Sequence, residues 1–391
     1  MSYIIFGDTF TFPEGGAATN RVHTYAKGFC ENGIKVHVIC FENEYLHVAD
    51  GLINGYYFYH PFGQRKRNKY FIIRSMRKII KYYKTIILIR AINKKDKVIA
   101  INCWTQRMLT TIYIYILAKF IKAFVIIERS EHPLRNYQGS FFRKMQGHIR
   151  TYIETKLCDG IFCISNYLID FYKAKGVNPK RLFLVPSTVE KGRFRTSYDS
   201  PLGFQYILYC GSLTIIKDGV NILIESFARI SGKHPDINLV LIGKGDSIEE
   251  EMIFRDIVNK LDIKNRVFFL GQLSREVVPA YLMNAKINAL ARPTSIVADA
   301  GFPSKLTEYL ATGIPVVITE VGEIPVYLKD DENAFLSKPD NIDAFAEKLD
   351  YVLNNYDLAR VVSSKGQELT DTIFNYNIQA KRMIEFITSL K

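Results

Sequence analysis

A chain of 391 residues is too long for one ordinary hydrophobic core and predicts two domains of roughly 150–200 residues each. Hydrophobic residues make up 48% and charged residues 23% of the chain, which is typical of a soluble globular protein. The six cysteines form no C-x-x-C pair and mostly lie in apolar runs, which argues against a disulfide framework or a cysteine metal site. The N-terminal residues predict a first β-strand and not a signal peptide.

The net charge of +13 is concentrated between Arg65 and Lys97, where thirteen Lys and Arg residues accompany a single acidic residue, Asp96. The interleaved apolar and aromatic residues predict a basic helix with an apolar stripe, which is typical of contact with an anionic membrane surface. The predicted membrane contacts are Arg74, Arg77, Lys78 and Lys81. The alternative is a solvated helix whose stripe packs on its own domain. Nucleic acid is not an expected partner, because no recognition motif accompanies the charge.

The first 190 residues alternate short β-rich runs with helical patterns. The predicted strands are 3–6, 35–41, 55–59, 97–102, 123–128, 160–164 and 181–185, and the predicted helices are 17–32, 69–92, 105–121, 141–157 and 166–175. This alternation predicts an N-terminal Rossmann-like domain, 1–190, with a mostly parallel sheet covered on both faces. Lys119 and Lys122 interrupt the only long apolar stretch, 109–127, which favours a buried helix and strand over a membrane span.

A polar segment without periodicity, 190–204, is predicted to link this domain to a second one. The second alternation has predicted strands at 205–210, 238–243, 266–270, 286–290, 315–319 and 334–336, and predicted helices near 219–231, 248–261, 275–284, 303–312, 341–354 and 357–369. It predicts a C-terminal Rossmann-like domain, 205–370. A last helix within 371–391 is expected to pack back toward the N-terminal domain. The predicted fold class is therefore α/β.

Ligands of open α/β sheets bind where the strands end, so the loops after strands hold the candidate residues. Gly15 and Gly16 follow the first strand and precede a helix, where backbone N–H groups can meet anionic oxygens, although a plain tight turn fits equally well. His132 follows another strand and could donate to a sugar hydroxyl or a phosphate, or could simply stabilise its loop. Lys217 precedes a helix and could neutralise a diphosphate, or could lie in solvent.

The segment 298–313, ADAGFPSKLTEYLATG, is the most informative. Pro303 and the following serine suit a helix start, and a glycine suits its end. The N–H groups of residues 304–306 would have no partner within the helix, so together with Lys305 they predict an anion site for a pyrophosphate. Glu308 lies one turn further along, where its carboxylate can accept hydrogen bonds from both ribose hydroxyls. The alternative is a surface helix, which is disfavoured because the neighbouring residues are apolar.

These residues resemble the family 4 glycosyltransferases, retaining enzymes of the GT-B fold in which two Rossmann-like domains face each other across a cleft. The resemblance spans nearly the whole chain: the glycine pair at 15–16, the strand and His132, ISNYL at 164–168, LVPSTVEKGRF at 184–194, YCGSLTIIKDG at 209–219, LIGKGD at 241–246, FFLGQL at 268–273 and GFPSKLTEYLATGIPVVIT at 301–319. The last segment is the most specific and resembles a GFPSKL-type branch of the family. Ala300 replaces the first glutamate of the family's E-x7-E motif, and Ser212 replaces an arginine of its phosphate loop.

The resemblance implies a role for each matching position. His132, Lys217 and Glu308 would be catalytic; Gly15, Gly16, Ser212, Ser304, Lys305 and Leu306 would bind the donor diphosphate; Gly243, Gln272, Leu273 and Glu308 would bind the nucleoside; Arg292, Gly301, Phe302 and Pro303 would contact the donor sugar. Lys305 or Arg292 would supply the charge that Ser212 lacks.

The resemblance further implies transfer of a sugar from a UDP- or GDP-type donor to a lipid-linked or polysaccharide acceptor in cell-surface glycan synthesis, such as that of capsule or lipopolysaccharide. No D-x-D motif occurs, so no metal and no cofactor are expected beside the donor substrate. The basic segment favours a cytoplasmic protein at the inner face of the membrane. Two alternatives stay open: a non-catalytic nucleotide-sugar-binding subunit, which the lost glutamate would allow, and a nucleotide-sugar epimerase of the same architecture.

Overall fold

The computed structural model of the protein describes residues 1–43, 50–134, 140–194 and 198–390. The chain divides into two compact units. The first unit contains Met1–Pro186 and Tyr376–Lys391, and the second contains Ser187–Asn375. The C-terminal helix therefore belongs to the first unit.

The division corrects the predicted linker at 190–204 and the domain bounds drawn on either side of it. The described residues of that segment belong to the second unit, because their side chains and backbone bond within it. The Lys191 ammonium lies 2.6 Å from the Asp371 carboxylate, and the Arg193 guanidinium donates to the Glu308 carboxylate at 2.6 Å. The described part of 190–204 therefore packs within the second unit although its sequence is polar and without periodicity.

The first unit is built on a sheet whose described strands number eight. The strands are β1 (Ser2–Gly7), β2 (Lys35–Cys40), β3 (Asp50–Ile53), β4 (Tyr56–Tyr59), β5 (Val98–Trp104), β6 (Phe124–Arg129), β7 (Gly160–Cys163) and β8 (Leu182–Leu184), in the order β3-β4-β2-β1-β5-β6-β7-β8. Neighbouring strands are parallel except β3 and β4, which are antiparallel. The short strand β3 was not predicted from the sequence.

Helices cover both faces of this sheet. They are α1 (Ala17–Glu31), α2 (Phe71–Lys95), α3 (Met108–Ile121), α4 (Phe141–Leu157), α5 (Asn166–Ala174) and, at the C-terminus, α14 (Tyr376–Ser389). Successive residues of β1 point to opposite faces, so Tyr3 joins one core with Phe29 and Met383, while Ile4 joins another. The second core takes Ile89 from α2. No helix in the described part of the chain is both long enough and apolar enough to cross a bilayer.

The second unit has a parallel sheet with six described strands. They are β9 (Gln205–Cys210), β10 (Ile237–Ile242), β11 (Val267–Gly271), β12 (Ile287–Leu290), β13 (Val316–Thr319) and β14 (Phe335–Ser337), in the order β11-β10-β9-β12-β13-β14. The helices are α6 (Val220–Ser231), α7 (Ile248–Lys260), α8 (Val278–Asn284), α9 (Ile296–Ala300), α10 (Ser304–Ala311), α11 (Ile324–Tyr327), α12 (Ile342–Asn354) and α13 (Tyr356–Glu368). The predicted α/β class with mostly parallel sheets is confirmed.

Each sheet reverses its direction of winding once. In the first unit β1 lies between β2 and β5, and in the second unit β9 lies between β10 and β12, so that the chain proceeds outward on both sides. Ligands of open α/β sheets bind outside the carboxyl ends of the strands at such a switch point. The most specific sequence motif, at 301–319, lies at the switch point between β9 and β12.

Candidate functional site

Backbone segments approach very closely at the β9/β12 switch point. Gly219 has a φ of +63°, and a Cβ atom built on it would lie 1.9 Å from the Ala291 carbonyl oxygen, at the end of β12. Gly243 follows β10, and a Cβ there would lie 1.8 Å from the Gly211 carbonyl oxygen. Only glycine fits at these two positions. The loops after β9, β10 and β12 are thereby held together at one end of the sheet.

A buried ion pair lies beside these loops. The Lys305 ammonium is 2.8 Å from the Asp218 carboxylate and donates to the Tyr209 hydroxyl at 2.8 Å. Burial lowers the pKa of Lys305, against the opposing effect of Asp218. Burial also acts to raise the pKa of Asp218, but Lys305 and Arg292 together hold that pKa below its usual value. Lys305 was predicted to face a diphosphate, and the structure shows that Asp218 already balances its charge.

Glu308 lies on α10, one helical turn beyond Ser304, as the sequence predicted. Its carboxylate accepts a hydrogen bond from Arg193 at 2.6 Å, and both side chains are largely shielded from solvent. Arg193 donates a second hydrogen bond, at 3.0 Å, to the carbonyl oxygen of Arg275. Sequence reasoning missed Arg193 because it lay in the supposed linker, although the family-like segment 184–194 contains it.

The start of α10 differs in one detail from the prediction of three available N–H groups. The Leu306 N–H donates to the Pro303 carbonyl oxygen at 3.0 Å, so this group is used in the first turn. The N–H groups of Ser304 and Lys305 come earlier and have no partner within the helix. The helix ends as predicted, with Gly313 in the left-handed region at a φ of +64°. The helix start can therefore offer two backbone donors to an anion.

The predicted donor-sugar contacts are mostly interior. The Phe302 ring is buried and packs against Tyr327 and Phe374, each at 5.5 Å between ring centroids. Arg292 and Ala300 are also buried. The charge of Arg292 helps to hold the pKa of Asp218 below its usual value. Gly301 and Pro303 are buried as well, which leaves their backbone as the part that a ligand could meet.

The other predicted contacts in this unit border the same loops. Lys217 is half-buried immediately before Asp218, and Ser212 is exposed after β9. Gln272 is exposed and Leu273 half-buried in the loop after β11, the loop whose Arg275 carbonyl oxygen binds Arg193. The second unit thus brings together the predicted diphosphate and nucleoside residues other than Gly15 and Gly16, which lie in the first unit, and the side chain of Lys305 is paired with Asp218 there.

His132 lies in the first unit, shortly after β6, and is buried. Its Nδ1 accepts a hydrogen bond from the Leu134 N–H at 3.2 Å, so the neutral ring carries its proton on Nε2. Burial lowers the pKa of His132, which favours that neutral form. The ring packs edge-on against Phe171, with centroids 5.0 Å apart. A neutral imidazole with Nε2–H can donate a hydrogen bond; its role toward a donor sugar stays a prediction.

The glycine pair of the first unit also has defined surroundings. Gly16 precedes the first residue of α1, and a Cβ on Gly15 would lie 2.2 Å from the Thr19 hydroxyl. The loop before the pair is held by two histidines. His23 Nε2 is 2.7 Å from the Pro13 carbonyl oxygen, and His60 Nε2 is 2.9 Å from the Phe12 carbonyl oxygen. Neither histidine was singled out from the sequence.

A polar cluster at the β1/β5 switch point was also missed. Asp8 follows β1, and its buried carboxylate lies 3.3 Å from the Arg107 guanidinium, which is 3.2 Å from Glu42 after β2. Burial raises the pKa of Asp8, while contact with Thr105 and the charge of Arg107 oppose the rise. Each of these residues follows within three positions of the end of a central strand, and that placement is the signal in the sequence that could have identified the cluster.

Lys81 was predicted to contact a membrane, and this is wrong. Its ammonium is buried and donates to the Phe41 carbonyl oxygen and to the Asn43 side-chain oxygen, each at 2.8 Å. Burial lowers its pKa to about 8. Lys81 shares the inward face of α2 with Thr85, Ile89 and Ile92, at spacings of four, four and three residues.

The first half of α2 nonetheless presents apolar side chains to solvent. The exposed residues are Tyr70, Phe71, Ile72, Met76, Ile79 and Tyr83, which we call the α2 apolar surface; each is more than half exposed. Arg77 and Lys78 are exposed among them, and Arg74 is partly buried with its guanidinium on the Asn68 and Lys69 carbonyl oxygens. In the second half of α2 the alternative prediction applies, because the apolar stripe there packs on its own unit.

Comparison with known proteins agrees with this arrangement. Residues 190–369 match the family model described as glycosyl transferases group 1. An uncharacterized glycosyltransferase of Methanocaldococcus jannaschii is 26% identical over 212 residues, which cover 54% of this chain and 51% of the relative. The matching stretch spans about half the length of the curated relatives.

Two solved structures match almost the whole chain. Sucrose-phosphate synthase from Thermosynechococcus elongatus has a TM-score of 0.75 at 17% identity, over 100% of this chain and 99% of that one. Anabaena Alr3699/HepE, in complex with UDP and glucose, has a TM-score of 0.74 at 15% identity, over 99% of each chain. The chain thus has the GT-B fold of glycosyltransferases. Most of its second unit, residues 190–369, is similar to the glycosyl transferases group 1.

Proposed function

We propose that this protein is a retaining glycosyltransferase that moves a sugar from a UDP- or GDP-type donor to a lipid-linked or polysaccharide acceptor in cell-surface glycan synthesis. The observation that carries the proposal is the placement of Glu308 one turn beyond the open start of α10, at the β9/β12 switch point. The N–H groups of Ser304 and Lys305 suit a pyrophosphate. The Glu308 carboxylate suits the two hydroxyls of the attached ribose.

The proposed chemistry requires stabilisation of a leaving diphosphate. Lys217 and the N–H groups at the start of α10 would meet the negative charge that develops on the departing oxygen. The acceptor hydroxyl would attack the anomeric carbon from the face that the diphosphate leaves. The bond from that carbon to the diphosphate breaks as the new glycosidic bond forms, and a departing phosphate oxygen takes the proton of the hydroxyl. No metal enters this scheme.

Support for a nucleotide-sugar donor comes from relatives and from the loop after β11. A solved structure with the same fold was obtained with UDP and glucose. In this chain the loop with Gln272 and Leu273 lies within reach of the Arg193 side chain that binds Glu308, because Arg193 also bonds the Arg275 carbonyl oxygen. A base held there by backbone groups would be joined to a ribose held by Glu308.

The test is a thermal-shift panel of UDP, GDP, ADP and their sugars in buffer with EDTA, followed by assay of nucleotide diphosphate release with candidate acceptors. We expect one nucleotide series to stabilise the protein. At 100 times the dissociation constant a ligand adds about 2.7 kcal/mol to the free energy of unfolding. Release should need the acceptor and persist in EDTA. Stabilisation by no nucleotide would contradict the proposal, and turnover that stops with EDTA would contradict its metal-free part.

The same assays separate the two alternatives. A non-catalytic subunit would bind the nucleotide sugar but release no nucleotide diphosphate with any acceptor. An epimerase would convert the donor sugar without an acceptor and without releasing the nucleotide. A transferase alone couples nucleotide diphosphate release to a new glycosidic bond, which mass spectrometry of the acceptor detects.

We further propose a cytoplasmic location with peripheral attachment to the inner face of the membrane. The support is the α2 apolar surface with Arg77 and Lys78 beside it. Exposed apolar side chains can enter the interface, while each nearby cation adds about 1 kcal/mol of attraction to anionic lipid.

Charge reversal tests this attachment. Arg77→Glu with Lys78→Glu should lower co-sedimentation with anionic phosphatidylglycerol vesicles at least tenfold, because two attractive charges become repulsive. The matched control reverses Lys260 and Lys264, which are exposed on the second unit, and should leave sedimentation unchanged. Lys81 is unsuitable for this test because it is buried. Equal sedimentation of both double variants would refute membrane attachment through α2.

A further inference from the structure

We propose that Arg193 is a positioning residue for the nucleotide: it holds the Glu308 carboxylate toward the ribose and ties it to the loop that receives the base. The inference rests on the proposed function, because it takes Glu308 as the ribose-binding residue. It adds a residue to which neither the sequence motifs nor the family resemblance gave a role.

The geometry of the contact is that of a strong hydrogen bond. Nη1 of Arg193 lies 2.6 Å from Oε1 of Glu308. The side chains are 13% and 17% exposed, so water screens the pair much less than it screens a surface ion pair. Hydrogen bonds between two charged groups at this distance are roughly twice as strong as neutral ones. The bond therefore restrains the position of Oε1 of Glu308.

The second nitrogen of the guanidinium makes a different contact. Nη2 donates at 3.0 Å to the carbonyl oxygen of Arg275, in the loop after β11. Arginine can hold two acceptors at a fixed angle because its guanidinium is planar, whereas lysine presents a single ammonium on a flexible stem. Arg193 thus sets the distance between a carboxylate on α10 and the loop with Gln272 and Leu273.

The backbone of Arg193 is itself anchored within the second unit. It ends a 3₁₀ turn, Lys191–Arg193, and its carbonyl oxygen accepts from the Tyr198 hydroxyl at 2.6 Å. Lys191 at the start of the turn pairs with Asp371 at 2.6 Å. A side chain on an anchored turn loses little further freedom when it binds Glu308, which is what a positioning role requires.

A carboxylate can accept about four hydrogen bonds, and the bond from Arg193 occupies one of them. If Arg193 served only to hold the unit together, its loss would weaken the binding of every nucleotide alike. If it orients Glu308, its loss should weaken only those nucleotides that carry the ribose hydroxyls.

The experiment measures binding of UDP and GDP, and of their 2′,3′-dideoxy counterparts, by calorimetry on the full chain. The wild-type protein should prefer the ribonucleotide over its dideoxy form by at least tenfold, since two hydrogen bonds to a charged group are lost. Arg193→Gln should remove most of that preference and leave dideoxy binding within about twofold. Arg193→Lys, which keeps the charge and only one bond, should give an intermediate ratio.

Two further variants complete the design. Arg193→Gln combined with Glu308→Gln should bind no more weakly than Glu308→Gln alone, because Arg193 acts through Glu308. Lys191→Gln is the matched control on the same turn and should keep the full preference, since its ion pair is at the surface. A wild-type ribose preference that survives in folded Arg193→Gln and Arg193→Lys would overturn the inference alone. Failure of the wild type to bind either nucleotide would overturn the proposed function, and the inference with it.

Discussion

Replacing Glu308 with alanine should weaken nucleotide diphosphate binding at least about 100-fold, the largest effect that we expect from one substitution on binding. Two ribose hydroxyls would lose a charged acceptor, and each such hydrogen bond contributes about 1.5–3 kcal/mol. The loss also leaves the Arg193 guanidinium, now 13% exposed, without its carboxylate in a largely buried position. Calorimetric titration with the nucleotide identified in the thermal-shift panel measures the effect.

The control for this substitution is Glu347→Ala, an exposed glutamate on α12 of the same unit. It should leave the dissociation constant unchanged. Glu308→Gln keeps the shape and one acceptor oxygen, so we expect a smaller loss than for alanine. Nucleotide binding of wild-type strength in a folded Glu308→Ala protein would show that the ribose lies elsewhere.

The second large effect should appear in stability. Replacing Asp218 with alanine leaves the buried Lys305 without the carboxylate now 2.8 Å away. Removing one partner of a buried ion pair costs about 3–5 kcal/mol, because the remaining charge is desolvated and uncompensated. Guanidinium denaturation, followed by a probe placed in the second unit, should report this loss for that unit.

Two variants test the reason for the loss. Asp218→Leu combined with Lys305→Met removes both charges and should recover most of the stability, as buried pairs often tolerate apolar replacement. Asp343→Ala breaks the exposed pair with Arg229 in the same unit and should cost less than about 1 kcal/mol. If Asp218→Ala is as stable as Asp343→Ala, the buried pair does not hold the site together.

The fold followed from the sequence because the signals are local. The apolar runs of β1 and β9 and the helical patterns between strands each extend over several consecutive residues, and parallel sheets need such alternation. The strand β3 was not predicted because its four residues, Asp50–Ile53, include polar and apolar residues in no distinctive pattern. The GFPSKL segment likewise predicted the start of α10 at Ser304.

The side-chain partners could not be predicted because they depend on distant parts of the chain. Lys305 and Asp218 are far apart in sequence, as are Glu308 and Arg193, and no local pattern reports their contact. Lys81 shows a different limit. Its positive charge suggested solvent or lipid, but its spacing to Ile89 places it on the inward face of α2, where its ammonium donates a hydrogen bond to the Phe41 carbonyl oxygen.

The most direct test of the account is a crystal structure of the protein with its preferred nucleotide diphosphate. We expect the pyrophosphate on the N–H groups of Ser304 and Lys305 and both ribose hydroxyls on the Glu308 carboxylate, with Arg193 still bound to it. A nucleotide bound away from the start of α10, or a ribose that does not contact Glu308, would contradict the account.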